Sequence, residues 1–309
     1  MNENTDIELK YNNPQEVAKS GLLGFFIGLA VIVPGISGST IAIIFKLYDK
    51  LIYAIGNILN KFKLCFLFLI PIVIGAGIGF LLGFFTIQQL INLLPFAVIA
   101  LFAGLMLGAF PAVYEEIKDE KKTINRVILF IVGLLIPILI GVLSTLMTSG
   151  NQSLEDLQFY HYILFLFLGY LVAITQVVPG LSATAILMAF GYFKPIMDSV
   201  SITYITNNPS VLLVYACLVL GFGIGLISFS KILTIIFKNY KKTAFFLIVG
   251  LSLGSVVSMF FNPDIYLVYQ SWIAGNTLFG LDLGLGIGLF IIGIIIAVLF
   301  VRYEKNKSI

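Results

Sequence analysis

Charge-free apolar runs separated by short polar segments set the rhythm of this chain. Four of them, Leu64 to Leu82, Val127 to Met147, Thr243 to Phe261 and Leu283 to Val301, each reach the length of about 18 residues or more that a bilayer-spanning helix needs. Two further apolar stretches, 20–45 and 161–193, carry Pro34-Gly35 and Pro179-Gly180 near their middles. Proline removes a backbone donor and glycine is permissive, so each pair breaks its helix and turns the stretch into a hairpin. The pattern predicts hairpin 20–45 followed by spans 65–85, 93–110 and 127–148, then hairpin 161–193 followed by spans 211–230, 243–261 and 281–301. The fold class is an all-α polytopic membrane protein.

The second set repeats the first. Val33-Pro34-Gly35-Ile36-Ser37 recurs 145 positions later as Val178-Pro179-Gly180-Leu181-Ser182, with Gly24 matching Gly169 and Phe45 matching Phe190. Two more pieces match at an offset of 146: Gly75 to Gly79 with Gly221 to Gly225, and Gly104 to Gly108 with Gly250 to Gly254. Three pieces in one order make chance similarity between glycine-rich helices a poor explanation. The chain divides into a segment 1–19, a first repeat 20–148, a second repeat 149–301 and a tail 302–309.

Charge sets the orientation. All of the 18 Lys and Arg residues except Lys194 fall before residue 21, in 46–64, 111–126 and 231–242, or after 301. Basic residues accumulate in cytoplasmic loops, so these segments and both termini are expected in the cytoplasm, with 86–92, 148–162, 194–210 and 262–280 outside. Each hairpin must then return to its own side. The arms around Pro34-Gly35, about 14 residues or roughly 21 Å each, are too short for a hydrocarbon core of about 30 Å, which suits a re-entrant hairpin; the second has longer arms and could cross. Three spans follow each hairpin, so the second half starts from the opposite face. The resulting inverted-topology repeat is the plan of many alternating-access carriers, which bind at the midplane where interrupted helices meet.

Composition agrees: 60% of residues are hydrophobic and 11% charged, against roughly 45–50% and about 25% in soluble domains. The polar first twenty residues are not a cleavable signal. Cys65 and Cys217 fall within spans and imply no disulfide framework. A net charge of +3 with dispersed basic residues gives nucleic acid nothing to bind.

The candidate chemistry lies just after the breaks. Ser37-Gly38-Ser39-Thr40 and Ser182-Ala183-Thr184 begin new helices with unpaired N–H groups and small or hydroxylated side chains, a setting that receives anions. The bland alternative is that Ser37 and Ser182 cap their helices. Gly35 and Gly180 at the breaks, Gln176 just before the second, and Lys46 and Lys194 just beyond each hairpin complete the candidate substrate-binding set. The two lysines equally suit snorkelling toward the interface. All fifteen acids fall in predicted loops or at segment ends, and His161 is the sole histidine, so neither a carboxylate relay nor a metal centre or other cofactor site is expected.

Val33 to Thr40, followed by Lys46-Leu47-Tyr48-Asp49-Lys50-Leu51-Ile52, resembles the first motif of a bacterial membrane family once labelled a domain of unknown function, the PopT-type undecaprenyl-phosphate transporters. Val178 to Ser182 with Phe190-Gly191-Tyr192 resembles its second motif, and the likeness in layout covers nearly the whole chain. The chain departs from the family in Lys46, where a glycine is usual, in lacking an Ala-Asp pair before the first Pro-Gly, and in Ala183, where glycine usually follows the serine. The resemblance implies a carrier of undecaprenyl phosphate, or a related polyprenyl phosphate, returning it from the outer to the inner leaflet of the bacterial cytoplasmic membrane for cell-wall polymer synthesis. A lipid of this kind can leave its hydrocarbon in the bilayer, so only the phosphate needs shelter. The expected partners are that lipid and the bilayer, with room for a homo-oligomer. A small-anion transporter or channel is the alternative within transport, and an intramembrane phosphatase the competing enzyme.

The topology is directly testable. Cysteines at positions 121 and 241 should be silent to an impermeant external thiol reagent and cysteines at 156 and 276 should react, in a background lacking Cys65 and Cys217. External labelling at 121 overturns the inverted arrangement.

Overall fold

The computed structural model describes residues 9–32, 38–147, 152–155, 157–261, 263–275 and 279–307. The first break, Val33 to Ser37, lies outside them, as do Asp156 and Asn276. The described residues form helices α1 (Pro14–Ile32), α2 (Gly38–Ile44), α3 (Tyr48–Gly56), α4 (Phe62–Leu93), α5 (Pro95–Tyr114), α6 (Ile124–Met147), α7 (Phe159–Val177), α8 (Ala183–Ala189), α9 (Phe193–Ser199), α10 (Ile202–Asn207), α11 (Val211–Ser258), α12 (Pro263–Ile273) and α13 (Phe279–Lys307). Six helical segments are long and apolar enough to cross a membrane. The protein is an all-helical, polytopic membrane protein, and large apolar side chains such as Ile74, Leu81, Leu139, Ile291 and Leu299 cover its outer faces.

Several boundaries differ from the sequence expectation. The connection expected at 86–92 is the last part of α4, 32 residues long, because nothing breaks the helix until Pro95. Leu94, immediately before that proline, leaves helical geometry (φ −138°, ψ 67°), as residues preceding proline do. The basic segment 231–242 is largely helical, but the expected interruption does fall within it, at Tyr240 (φ −137°, ψ 27°), where two helices meet across a kink. No Gly or Pro stands between Leu226 and Val249, and Lys is a good helix former. The hairpin arms are unequal: α1 and α7 have 19 residues each, α2 and α8 seven each. The second hairpin is therefore no longer-armed than the first. At 1.5 Å per residue a return arm of this size climbs only about 10 Å.

Glycine decides how the long helices pair. Between α1 and α4, a Cβ on Gly24 would overlap the Ile72 carbonyl, one on Gly75 the Gly21 carbonyl and one on Gly79 the Phe25 carbonyl. Between α7 and the first part of α11 the same holds for Gly169 with Leu218, Gly221 with Leu166 and Gly225 with Tyr170. Every residue in the first set maps onto the second at an offset of 145 or 146. The remaining long helices swap partners: Gly104, Gly108 and Gly293 bring α5 and α13 into backbone contact, while Gly250, Gly254 and Gly133 do the same for the end of α11 and α6. With lipid outside, no hydrophobic force favours one helix over another, and close backbone approach at small residues supplies the adhesion.

At one end of the bundle, three of the lysine-bearing segments meet. Lys241 pairs with Asp49 at 2.6 Å and Glu116 at 3.6 Å, and Glu120 pairs with Arg126 at 3.0 Å and Lys242 at 3.7 Å. Asp282, by contrast, is buried at the start of α13, where it accepts hydrogen bonds from the Phe96 and Ala97 N–H groups at 3.3 and 2.9 Å. It caps α5 from another helix, a role that its position at a segment end did not reveal.

The glycine contacts predict paired outcomes. Gly75→Ala and Gly221→Ala should each destabilise the purified protein by about 1–3 kcal/mol through forced backbone separation. Gly77→Ala and Gly223→Ala, where a Cβ meets nothing within 4 Å, should leave thermal unfolding in detergent unchanged.

Candidate functional site

Both hairpins end in the same hydrogen-bonded stop. After α2, Lys46 N–H donates to the Ile43 carbonyl at 2.9 Å and Leu47 N–H to Ala42 at 2.9 Å; after α8, Gly191 N–H donates to Met188 at 2.8 Å and Tyr192 N–H to Leu187 at 3.0 Å. This pair of bonds requires a left-handed residue at its centre. Gly191 supplies it at φ 74°, and Lys46 at φ 56° is the only non-glycine with such a backbone among the described residues. The departure of Lys46 from the usual glycine therefore falls where glycine is conformationally favoured, and its side chain is exposed.

Of the first motif, Gly35 and Ser37 lie outside the described residues, while Gly38, Ser39 and Thr40 form the buried first turn of α2. A Cβ on Gly38 would meet Cγ2 of Ile27 at 2.8 Å, so this residue fits tightly against α1. Ser39 and Thr40 are each 1% exposed, and the Thr40 hydroxyl has no hydrogen-bond partner. A buried hydroxyl in that state forgoes its solvation without return.

In the second motif, Pro179 and Gly180 are buried. Gly180 has φ 88°, and a Cβ there would overlap the Leu251 carbonyl on α11; both conformation and contact call for glycine. Ser182 caps α8, its Oγ accepting from Ala185 N–H at 3.3 Å and lying 2.8 Å from Thr184 Oγ1. The bland reading of Ser182 is thus realised, although its hydroxyl, like Ala183 and Thr184, remains only half-buried. Gln176 is half-buried, with Nε2 3.4 Å from Thr175 Oγ1. Lys194 is exposed in the first turn of α9. His161 does not face the breaks: its Nδ1 accepts from Gln158 N–H at 2.9 Å in the cap of α7.

The residue that joins the two motifs stands within the first motif, where sequence reasoning assigned it no role. Tyr48, buried in the segment after the first hairpin, donates its hydroxyl to the Val177 carbonyl at 2.8 Å. Val177 ends α7, next to the second break, so its carbonyl has lost the helical partner four residues on. Burial pushes the Tyr48 hydroxyl well above its ordinary range, with Asp49 adding to the effect, so it remains a donor at any physiological pH. α2 also packs against α7. The segment just after the first return helix and the end of α7, next to the second break, therefore lie side by side.

The undecaprenyl phosphate translocase-like family matches residues 27–271 of this chain. The polyprenyl-phosphate transporter of Vibrio cholerae is 30% identical over 253 residues, covering 76% of this chain and 75% of that protein. The polyprenyl-phosphate transporter of Staphylococcus aureus is 29% identical over 251 residues, covering 77% and 84%. No solved structure gives a significant match.

Lys46→Gly separates conformation from charge. It should raise stability by roughly 0.5–1 kcal/mol, the left-handed penalty less the added freedom of the unfolded chain, as read from thermal unfolding. Loss of transport in that more stable protein would assign the ammonium a role in substrate recruitment, and unchanged transport would remove Lys46 from the site.

Proposed function

The chain belongs to the undecaprenyl phosphate translocase-like family, and on that premise we propose that it carries undecaprenyl phosphate, or a closely related polyprenyl phosphate, from the outer to the inner leaflet of the bacterial cytoplasmic membrane. There the returned lipid is reused as a carrier in wall-polymer synthesis. The observation that carries this reading is the likeness to two polyprenyl-phosphate transporters over three quarters or more of each relative's length. The protein acts as a carrier and not an enzyme: only the position of the lipid changes.

In this reading the two halves are an inverted-topology repeat. Glycine contacts that recur at fixed offsets, with α5 and α6 exchanging partners across the halves, support it. So does the convergence of 46–64, 111–126 and 231–242 at one end of the bundle, which suits a cytoplasmic face; both termini belong to that side in this reading. The hairpins are re-entrant, and seven-residue return arms favour that over complete crossings. The phosphate passes between the segments after the breaks. Gly35, Ser37, Gly38, Ser39 and Thr40 form one side and Gly180, Ser182, Ala183 and Thr184 the other, with Gln176 beside them. Because α2 and α8 are short, the hydroxyls and free N–H groups matter more here than a helix dipole. Lys46 and Lys194 attract the headgroup to either face.

Coupling follows from the substrate's own acid–base chemistry. A phosphomonoester has its second pKa near about 6, so inward passage of the monoanion with release of a proton in the cytoplasm harnesses an inward proton gradient.

The test is reconstitution into sided vesicles with labelled polyprenyl phosphate. The protein should move label between leaflets, faster with acid outside. Ser37→Ala and Ser182→Ala should each slow transfer by about tenfold or more, since a hydrogen bond to a charged group is worth about 1.5–3 kcal/mol. Ala183→Pro, which removes a donor, should do more. Passage of inorganic phosphate without the lipid would replace this reading by a small-anion transporter.

A further inference from the structure

On one side of the first hairpin, between α1, α2, α5 and α13, lies a half-open cavity of about 340 Å³, within the range of roughly 300–1,000 Å³ for small-molecule sites. Its walls include Phe26 of α1, Ile41 of α2, Met106 of α5 and Phe300 of α13, with Phe45 just beyond α2. Thr40 is the single lining residue with a polar side chain, and since its hydroxyl is buried away from the cavity the wall is wholly apolar.

The matching face of the second half is packed differently. There α8 packs against α6, whereas α2 and α13 stand on opposite walls of the cavity. The offset of 146 also takes Met106 and Ala109 to Ser252 and Ser255, so the corresponding wall carries hydroxyls. The apolar wall that Met106 and Ala109 give this cavity is thus not reproduced at the matching positions of the second half.

We propose that this cavity seats the isoprene units nearest the phosphate, in a wholly apolar chamber bounded at one end by the first turn of α2, Gly38 to Thr40. The proposal rests on the polyprenyl-phosphate reading above and adds a binding site for the chain. Three features select an isoprenoid. The walls combine phenyl rings with branched aliphatic side chains, matching a chain that bears a methyl on every unit and is thicker than a straight acyl chain. The chamber begins within one turn of the segment assigned to the phosphate, so headgroup and first units are held together. It is half-open, so the remaining units continue outward into lipid. Filling an apolar void with hydrocarbon is favourable, while water gains no partners there.

The experiment uses the full chain in phosphatidylglycerol nanodiscs and a polyprenyl phosphate carrying a diazirine on its second isoprene unit. Adducts should map to residues 26–30, 40–45, 102–109 and 296–300 and be displaced by unlabelled polyprenyl phosphate, not by added phosphatidylglycerol. Ala109→Phe, which fills the cavity from α5, should weaken lipid binding about tenfold (about 1.4 kcal/mol); if that variant does not fold, the wild-type adduct map decides alone. Saturable adducts elsewhere would overturn the cavity assignment and leave the transport reading standing. Cavity adducts displaced equally by phosphatidylglycerol would make it a seat for bulk lipid and also overturn the proposal. Absence of any saturable adduct would remove both readings.

Discussion

Backbone-to-backbone contact between helices is the constraint on which this structure depends. Inside a bilayer, apolar side chains gain nothing by leaving lipid for protein, so helices adhere where their surfaces approach most closely. Here that approach occurs at glycines whose missing Cβ leaves room for a carbonyl of the neighbouring helix: Gly24 and Gly75 in one pair, Gly169 and Gly221 in its counterpart, Gly104 and Gly250 in the partner-swapped pairs. Since α5 of the first half packs on α13 of the second, and α6 of the first on α11 of the second, neither half closes its own interface. The two hairpins are held against that shared frame.

Much of this order was legible because the same glycines that make the contacts are the ones that repeat in the sequence. The matches at Gly75 to Gly79 and Gly104 to Gly108 are interface residues, so repeat detection and packing report one physical fact. The spans were legible because a hydrocarbon slab demands charge-free length. Boundaries were less so: loops were expected wherever lysines or polar residues interrupted the apolar runs. Polarity does not end a helix: without Gly or Pro α4 continues through 86–92, and 231–242 stays helical up to the kink at Tyr240 where two helices meet. Asp282 and Tyr48 were illegible for another reason. Each satisfies a helix end distant in sequence, Ala97 and Val177 respectively, and no local pattern announces a partner 129 or 185 positions away.

The candidate site shows the same division. The kinds of residue after each break were readable, and Ser182 does stand at a helix start with its hydroxyl engaged by backbone. What could not be read was the contrast between the two motifs. Thr40 is sealed and unsatisfied, whereas Thr184 shares a hydrogen bond with Ser182 and is half-buried. Burial depends on the neighbours of each return helix. α8 rests on α6, and α2 lies beside a cavity that α13 borders without closing. A sequence repeat can specify equal pieces without specifying equal surroundings.

That inequality gives the Tyr48–Val177 bond its meaning. A helix broken at membrane depth leaves carbonyls that neither water nor lipid can satisfy, and any change of the break must keep them satisfied. Tyr48 belongs to the first half and Val177 to the second, so a displacement of the segment after α2 either carries the end of α7 with it or strips that carbonyl of its donor. Stripping it costs on the order of 1–3 kcal/mol, and the ion pairs of Asp49 with Lys241 oppose slippage at the same segment. Movement of the segment after α2 is thereby tied to the end of α7, beside the second break. The coupling needs no titrating residue in the bilayer, only a donor that stays protonated and a carbonyl with nowhere else to turn.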